Sequence, residues 1–189
     1  GPLHVGHGRG AAYGASLGNM LQLAGYRVQR EYYVIYNSRQ MDILALSVWL
    51  RYLELCGEKV GFPENGYRGE YIYDIARLVR VEYGDKWRFG SVEVADGLPP
   101  GPGAGGDGEI YIDALIARAR ELLAETGFAI FFQAALNSIL GDIKEDLADF
   151  GVVYDLWFSE KALEDSGAVQ RAIERLRTTR SFRILLRAV

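Results

Sequence analysis

Apolar residues recur at three- and four-residue spacing through most of this chain and run together as short β-rich stretches in only two places. Over residues 4–24 the helical spacing is carried by Leu17, Met20, Leu21 and Ala24, and Gly25 follows as a residue able to end a helix at positive φ. Residues 27–35 are β-branched, aromatic and increasingly apolar, which predicts a strand buried at its C-terminal end. A second helix is predicted from a cap at Asn37 or Ser38 to about Leu55, with Met41, Leu44, Val48 and Leu50 among its apolar positions, Trp49 and Tyr52 as core or interface aromatics, and Gly57 as its stop. Residues 63–71 read as turns, and residues 71–83 as a short helix with Ile72, Ile75, Ala76 and Val79 on one side. Residues 110–125 and 132–150 read as two amphipathic helices, the second stopped by Gly151. Residues 152–158 have the composition of a second strand, Ser159 or Glu160 can open a helical turn, and a last helix is expected over residues 167–177. The apolar run within residues 180–189 has no partner after it, as if a longer protein continued there.

Helix, glycine and strand in this order make half of a βαβ unit, whose first strand would precede Gly1. The first helix carries Gly6, Gly8, Gly10, Gly14 and Gly18, although an exposed helix glycine costs about 0.8–1 kcal/mol relative to alanine. Close packing accounts for Gly14 and Gly18 in this reading, whereas Gly6 lies between the protein's two histidines. The run at 97–108 concentrates Gly and Pro and predicts an exposed, mobile loop. It lacks the Lys-Ser/Thr ending of a phosphate-binding loop.

Composition narrows the classes. A chain of 189 residues with 49% hydrophobic content can bury a core, and a net charge of -4 creates no global field for nucleic acid. The single cysteine, Cys56, cannot form an internal disulfide and reads as a small apolar residue; with no leader-like opening, a cytoplasmic protein is expected. No uninterrupted apolar stretch approaches the roughly 18 residues of a membrane span, so no membrane partner is expected.

Chemistry concentrates at Pro2-Leu3-His4-Val5-Gly6-His7-Gly8-Arg9-Gly10, which holds both histidines of the chain where a loop becomes a helix. A zinc site would need companion ligands beyond Cys56, so no protein-bound metal is expected. Acid/base catalysis by a histidine stays open, although no serine or cysteine motif marks a nucleophile for it to activate. The third reading is binding and transition-state stabilisation of a phosphate, through donor imidazoles, backbone N–H groups and the positive helix end.

The segment from Pro2 to Ala11 resembles the HIGH motif of class I aminoacyl-tRNA synthetases in its arginyl-tRNA synthetase version. Glu31-Tyr32-Tyr33, Arg39-Gln40-Met41-Asp42, residues 47–53 and 62–72, Asp146-Leu147, Phe150-Gly151-Val152 and residues 155–160 resemble successive parts of the bacterial enzymes in family order. The resemblance implies an α/β fold, an incomplete Rossmann-type class I synthetase catalytic core that is predominantly helical. Residues 1–57 would form the first half of the nucleotide-binding fold, and residues 58–189 the connective insertion and the start of the return to the core. It further implies ATP-dependent activation of arginine and transfer to tRNA. His4 and His7 would be catalytic, His4, Gly6, His7 and Gly8 would bind ATP, and Gln40 would lie beside the substrate. ATP enters as a substrate with Mg2+; arginine is a partner and tRNA is met largely through regions absent here.

The chain also departs from the family. No strand ending in Asn-Pro-Thr precedes Gly1, and Ile35-Tyr36-Asn37-Ser38 stands where the family reads approximately Asn-Asp-Ala-Gly. The second half of the nucleotide fold, the KMSKS region and both tRNA-binding domains have no counterpart. Weak or absent activity alone is therefore expected, with exposed apolar surface open to self-association. The alternatives are a non-catalytic paralogue serving as an interaction module, or another HxGH nucleotidyltransferase.

Overall fold

The computed structural model describes residues 2–36 and 38–178. It is mostly helical with one small parallel sheet, and divides into two compact units. One takes in residues up to Ala12 together with Arg39–Val152; the other takes in Tyr13–Ser38 together with residues from Val153 onward. Helix α1 (Val5–Leu23) contributes to both. It ends as its spacing predicts: Tyr26 N–H donates to Leu21 O and Gly25 N–H to Gln22 O, with Gly25 at φ 90°.

The first unit is built around α2 (Arg39–Leu55), which packs against α3 (Glu70–Tyr83) and α5 (Gly108–Asp149). Because both neighbours lie on it, α2 is buried on nearly every side from Ile43 to Leu53, Trp49 and Tyr52 included. Ser47 is fully buried among apolar side chains, and it is satisfied: its hydroxyl donates to Ile43 O at 2.7 Å and accepts from Tyr67 N–H at 3.0 Å. Helix α3 buries Ile72, Ile75, Ala76 and Val79, the face its spacing predicts.

Three features of this unit differ from expectation. A short helix, α4 (Ser91–Ala95), is held by the Glu93 carboxylate accepting from Gly90 N–H at 2.8 Å, a one-turn device with no periodicity to read. The Gly/Pro run is a wound turn: Ala104 and Gly105 close a 3-10 turn over Pro102–Ala104, and a Cβ on Gly106 would lie 1.7 Å from Pro100 O. Asp107 then caps α5, its Oδ1 accepting from the N–H groups of Glu109 and Ile110. Finally, the two helices expected over 110–125 and 132–150 are present and meet at a kink at Ala124, whose φ of 51° and ψ of -179° break the helical path, but the second begins just after the kink and not at residue 132. Its first turns are helical because Gly127, Phe128 and Phe131 are buried, and that burial outweighs their modest helix propensity. A Cβ at Gly127 would lie 2.7 Å from the Trp87 ring. Helix α5 is also long and apolar enough, by length and composition only, to cross a membrane. Its apolar side chains Ile112, Leu115, Leu123, Phe131 and Leu136 are instead buried in this unit.

The second unit holds β1 (Glu31–Val34) and β2 (Leu156–Ser159), paired in parallel with Glu31 opposite Leu156 and Val34 opposite Ser159. Both strands are shorter than their composition predicts. Residues 27–29 precede the ladder, and at its start Arg30 O accepts from the N–H groups of Asp155 and Leu156 while Arg30 N–H donates to the Asp155 carboxylate at 2.7 Å. Cross-strand aromatics stack on both faces, Tyr32 on Trp157 and Tyr33 on Phe158. The Ser159 hydroxyl accepts from Ala162 N–H and caps α6 (Glu160–Asp165), and α7 (Ala168–Thr178) follows. Val34 is buried, as expected of the strand's C-terminal end, whereas Met20, Leu23, Ile35 and Leu176 are exposed. Asn37 and residues 180–189 lie outside the described residues, and with them one candidate cap and the final apolar run.

The α1 glycines separate in this structure. A Cβ on Gly18 would meet the Arg30 guanidinium at 3.3 Å, which accounts for close packing there, but one on Gly14 would meet nothing within 4 Å. Gly14→Ala is therefore expected to stabilise α1 by about 0.8–1 kcal/mol, the ordinary helix-propensity difference. Residue-resolved amide exchange along α1 checks this, and slower exchange at residues 14–18 is the expected result.

Candidate functional site

The histidines lie where their sequence position puts them, at the start of α1, and both are exposed. His4 is the N-cap: its carbonyl accepts from Gly8 N–H at 3.2 Å and from His7 N–H at 2.9 Å. Its side chain caps as well, Nδ1 accepting from Gly6 N–H at 3.1 Å. His7, three residues on, reaches back with its own Nδ1 to accept from His4 N–H at 3.2 Å. The two rings stack with centroids 3.8 Å apart and planes 21° from parallel.

This geometry gives Gly6 a local reason. A Cβ there would lie 2.9 Å from Cε1 and 3.1 Å from Nδ1 of His4, inside van der Waals contact, so any larger residue displaces the ring. Gly8 has no such constraint, since its Cβ would enter open space. The backbone amides of Gly6, His7 and Gly8, expected to help cradle a phosphate, already donate within the turn. What the site offers outward is imidazole edges at the positive end of a helix.

Gln40 is exposed in the first turn of α2, and among the described residues no hydrogen bond joins it to either histidine. A cavity of about 450 Å³ lies between α3 and α5, lined by Tyr83, Ile130, Gln133 and Asn137 among others, and one of about 250 Å³ is lined by Tyr33, Glu160, Leu163, Glu164 and Val169. Neither includes the histidines or Gln40. Glu160, which the sequence marks only as part of a family-like stretch, accepts from Tyr33 OH at 3.2 Å and from Tyr36 N–H at 2.9 Å. It thus ties the segment after β1 to the start of α6. Partial burial and the Glu160 charge push the Tyr33 hydroxyl up from its ordinary range.

Cys56 is buried beside Asp85, and burial, then that carboxylate, pushes its thiol up. A thiol held protonated in this way is no nucleophile. Its neighbour Tyr52 donates to Gly84 O at 2.6 Å, and burial pushes its hydroxyl up to about 12. Both hold the turn after α3. Among the described residues no group of three or more His, Cys, Asp or Glu is placed to hold a metal ion.

No family model matches the chain. It is 58% identical over 177 residues to an arginine-tRNA ligase of Thioalkalivibrio sulfidiphilus, and 55% identical over 177 residues to one of Legionella pneumophila; each alignment covers 94% of this chain and 30% of the relative. The chain is homologous to part of the arginine-tRNA ligases. A solved Campylobacter jejuni structure described as an arginyl-tRNA synthetase superposes with a TM-score of 0.62 at 27% identity, over 94% of this chain and 31% of that one. The chain thus spans about 30% of the length of the arginine-tRNA ligases it matches. Its small parallel sheet and helical body are consistent with part of a synthetase fold.

Proposed function

We propose that this chain carries part of the catalytic domain of an arginine-tRNA ligase, which activates arginine with ATP and transfers it to tRNA. In this reading residues 1–57 belong to the first half of a Rossmann-type nucleotide-binding fold, and residues 58–189, with the Gly/Pro turn at 97–108, to the connective insertion and the return to the core. The observation that carries it is the 58% identity to an arginine-tRNA ligase over 177 residues, 94% of the chain.

In the reaction the arginine carboxylate attacks the α-phosphate of ATP and pyrophosphate leaves, so the protein contributes position and charge stabilisation without a covalent intermediate. His4 and His7 donate to triphosphate oxygens, Gly6 and Gly8 line the nucleotide's approach, and Gln40 contacts the amino-acid substrate. Mg2+ arrives with ATP as part of the substrate. Arginine, ATP and tRNA are the partners, in the cytoplasm.

ATP-pyrophosphate exchange with arginine and tRNA tests the proposal. Weak or absent exchange is expected from this chain, and strong exchange from a form extended at both ends to the length of the relatives. An inactive extended form overturns the reading. It would favour a non-catalytic interaction module, for which Ile35 and Tyr36 in place of the family's Asn-Asp pair are the specific evidence.

A further inference from the structure

We propose that each histidine divides its two ring nitrogens between tasks: Nδ1 of His4 and of His7 holds the start of α1, and Nε2–H of each is the donor left for a ligand. The rings stand in the two places of a capping box, the N-cap and the residue three later, with the N-cap ring taking the amide of Gly6 in place of the one at His7. Serine or threonine and glutamate usually fill these places. Here the His4 ring accepts from Gly6 N–H and the His7 ring from His4 N–H.

An imidazole nitrogen accepts a hydrogen bond only when it carries no hydrogen, and a neutral ring with a bare Nδ1 carries its hydrogen on Nε2. Both rings are thereby fixed in one tautomer by the backbone they cap. Their stacking aligns the planes, and Gly6, by lacking a Cβ, lets the His4 ring lie over the turn. Gly6, His7 and Gly8 have already committed their N–H groups, so the two Nε2–H groups, beside the N–H of Val5, are what this turn presents to an anion. Paired donors side by side suit the oxygens of a phosphoanhydride. That ligand rests on the nucleotide reading above; the tautomers and caps do not.

The chain has two histidines, so a sample labelled with 15N-histidine gives a spectrum of these rings alone. Long-range 1H–15N correlation is expected to show bare Nδ1 and protonated Nε2 in both. A hydrogen on Nδ1 of either neutral ring overturns the inference. Two substitutions then separate the tasks. His4→Asn puts an acceptor oxygen near the place of Nδ1 but lacks the distal donor, so amide-exchange protection at Gly6 is retained while Mg-ATP binds about ten- to a hundredfold more weakly. His4→Gln restores a donor near Nε2 and loses the cap, so protection at Gly6 falls. Loss of protection in His4→Asn, or Mg-ATP affinity in that variant equal to the parent's, overturns the division. If the chain shows the stated tautomers and the form extended at both ends binds no Mg-ATP, the caps stand and the nucleotide reading fails.

Discussion

Trp49→Ala is expected to destabilise the first unit by about 3–5 kcal/mol, the usual range for truncating a large aromatic in a close-packed core. The ring is fully buried at the centre of α2, its Nε1 donates to Trp87 O at 3.2 Å, and its plane meets the edge of Phe89. Truncation therefore leaves a cavity on a helix with no solvent face to collapse onto, and also releases the Trp87 carbonyl. Against a typical domain stability of about 5–15 kcal/mol, that loss is a large fraction of the total. The urea midpoint of the helical circular-dichroism signal measures it. Trp49→Phe retains most of the volume and gives up the indole N–H, so a smaller loss of about 1–3 kcal/mol is expected from the stranded acceptor. A shift below about 1 kcal/mol for Trp49→Ala contradicts a core closed around α2, since cavity-forming substitutions there cost more.

The sequence was most legible where one local signal decides the structure. Gly25 ends α1, Val34 is the buried end of β1, and Ile72 to Val79 form the buried face of α3, each because period or turn chemistry acts within a few residues. It was least legible where distant contacts decide. The early start of the second half of α5, over residues 126–131, depends on Phe128 and Phe131 finding a core, which no periodicity within that segment reveals. The β strands are short because pairing begins only where Arg30 meets Asp155, 125 residues away. At the candidate site the sequence marked His4 and His7 as candidates but did not show their relation. The three-residue spacing of a capping box was present, yet histidine is an unusual occupant of either arm, so the spacing read as a ligand pattern alone. Gly6 likewise read as room for a ligand, whereas its nearest neighbour is the His4 ring.

That distinction sets the largest expected effect on activity. In the extended, active form, His4→Ala and His7→Ala are each expected to lower ATP-pyrophosphate exchange about 100- to 1000-fold, the usual consequence of removing a donor that stabilises transition-state charge. Gly6→Ala deletes no polar group, yet its new Cβ would lie 2.9 Å from His4 Cε1 and must push the ring off the turn. A loss approaching that of His4→Ala is expected. Gly8→Ala, whose Cβ enters open space within this chain, serves as the control and is expected to stay within about threefold of the parent unless the nucleotide itself needs that space. Separate kcat and KM values decide what the rings do: a fall in kcat with KM unchanged marks donors that act in the transition state, whereas a rise in KM alone marks uniform binding. Because the His7 ring accepts from the His4 N–H and the two rings stack face to face, the double variant His4→Ala/His7→Ala should lose less than the product of the single losses. Full additivity would mean that the contact between the stacked rings has no part in positioning the donors.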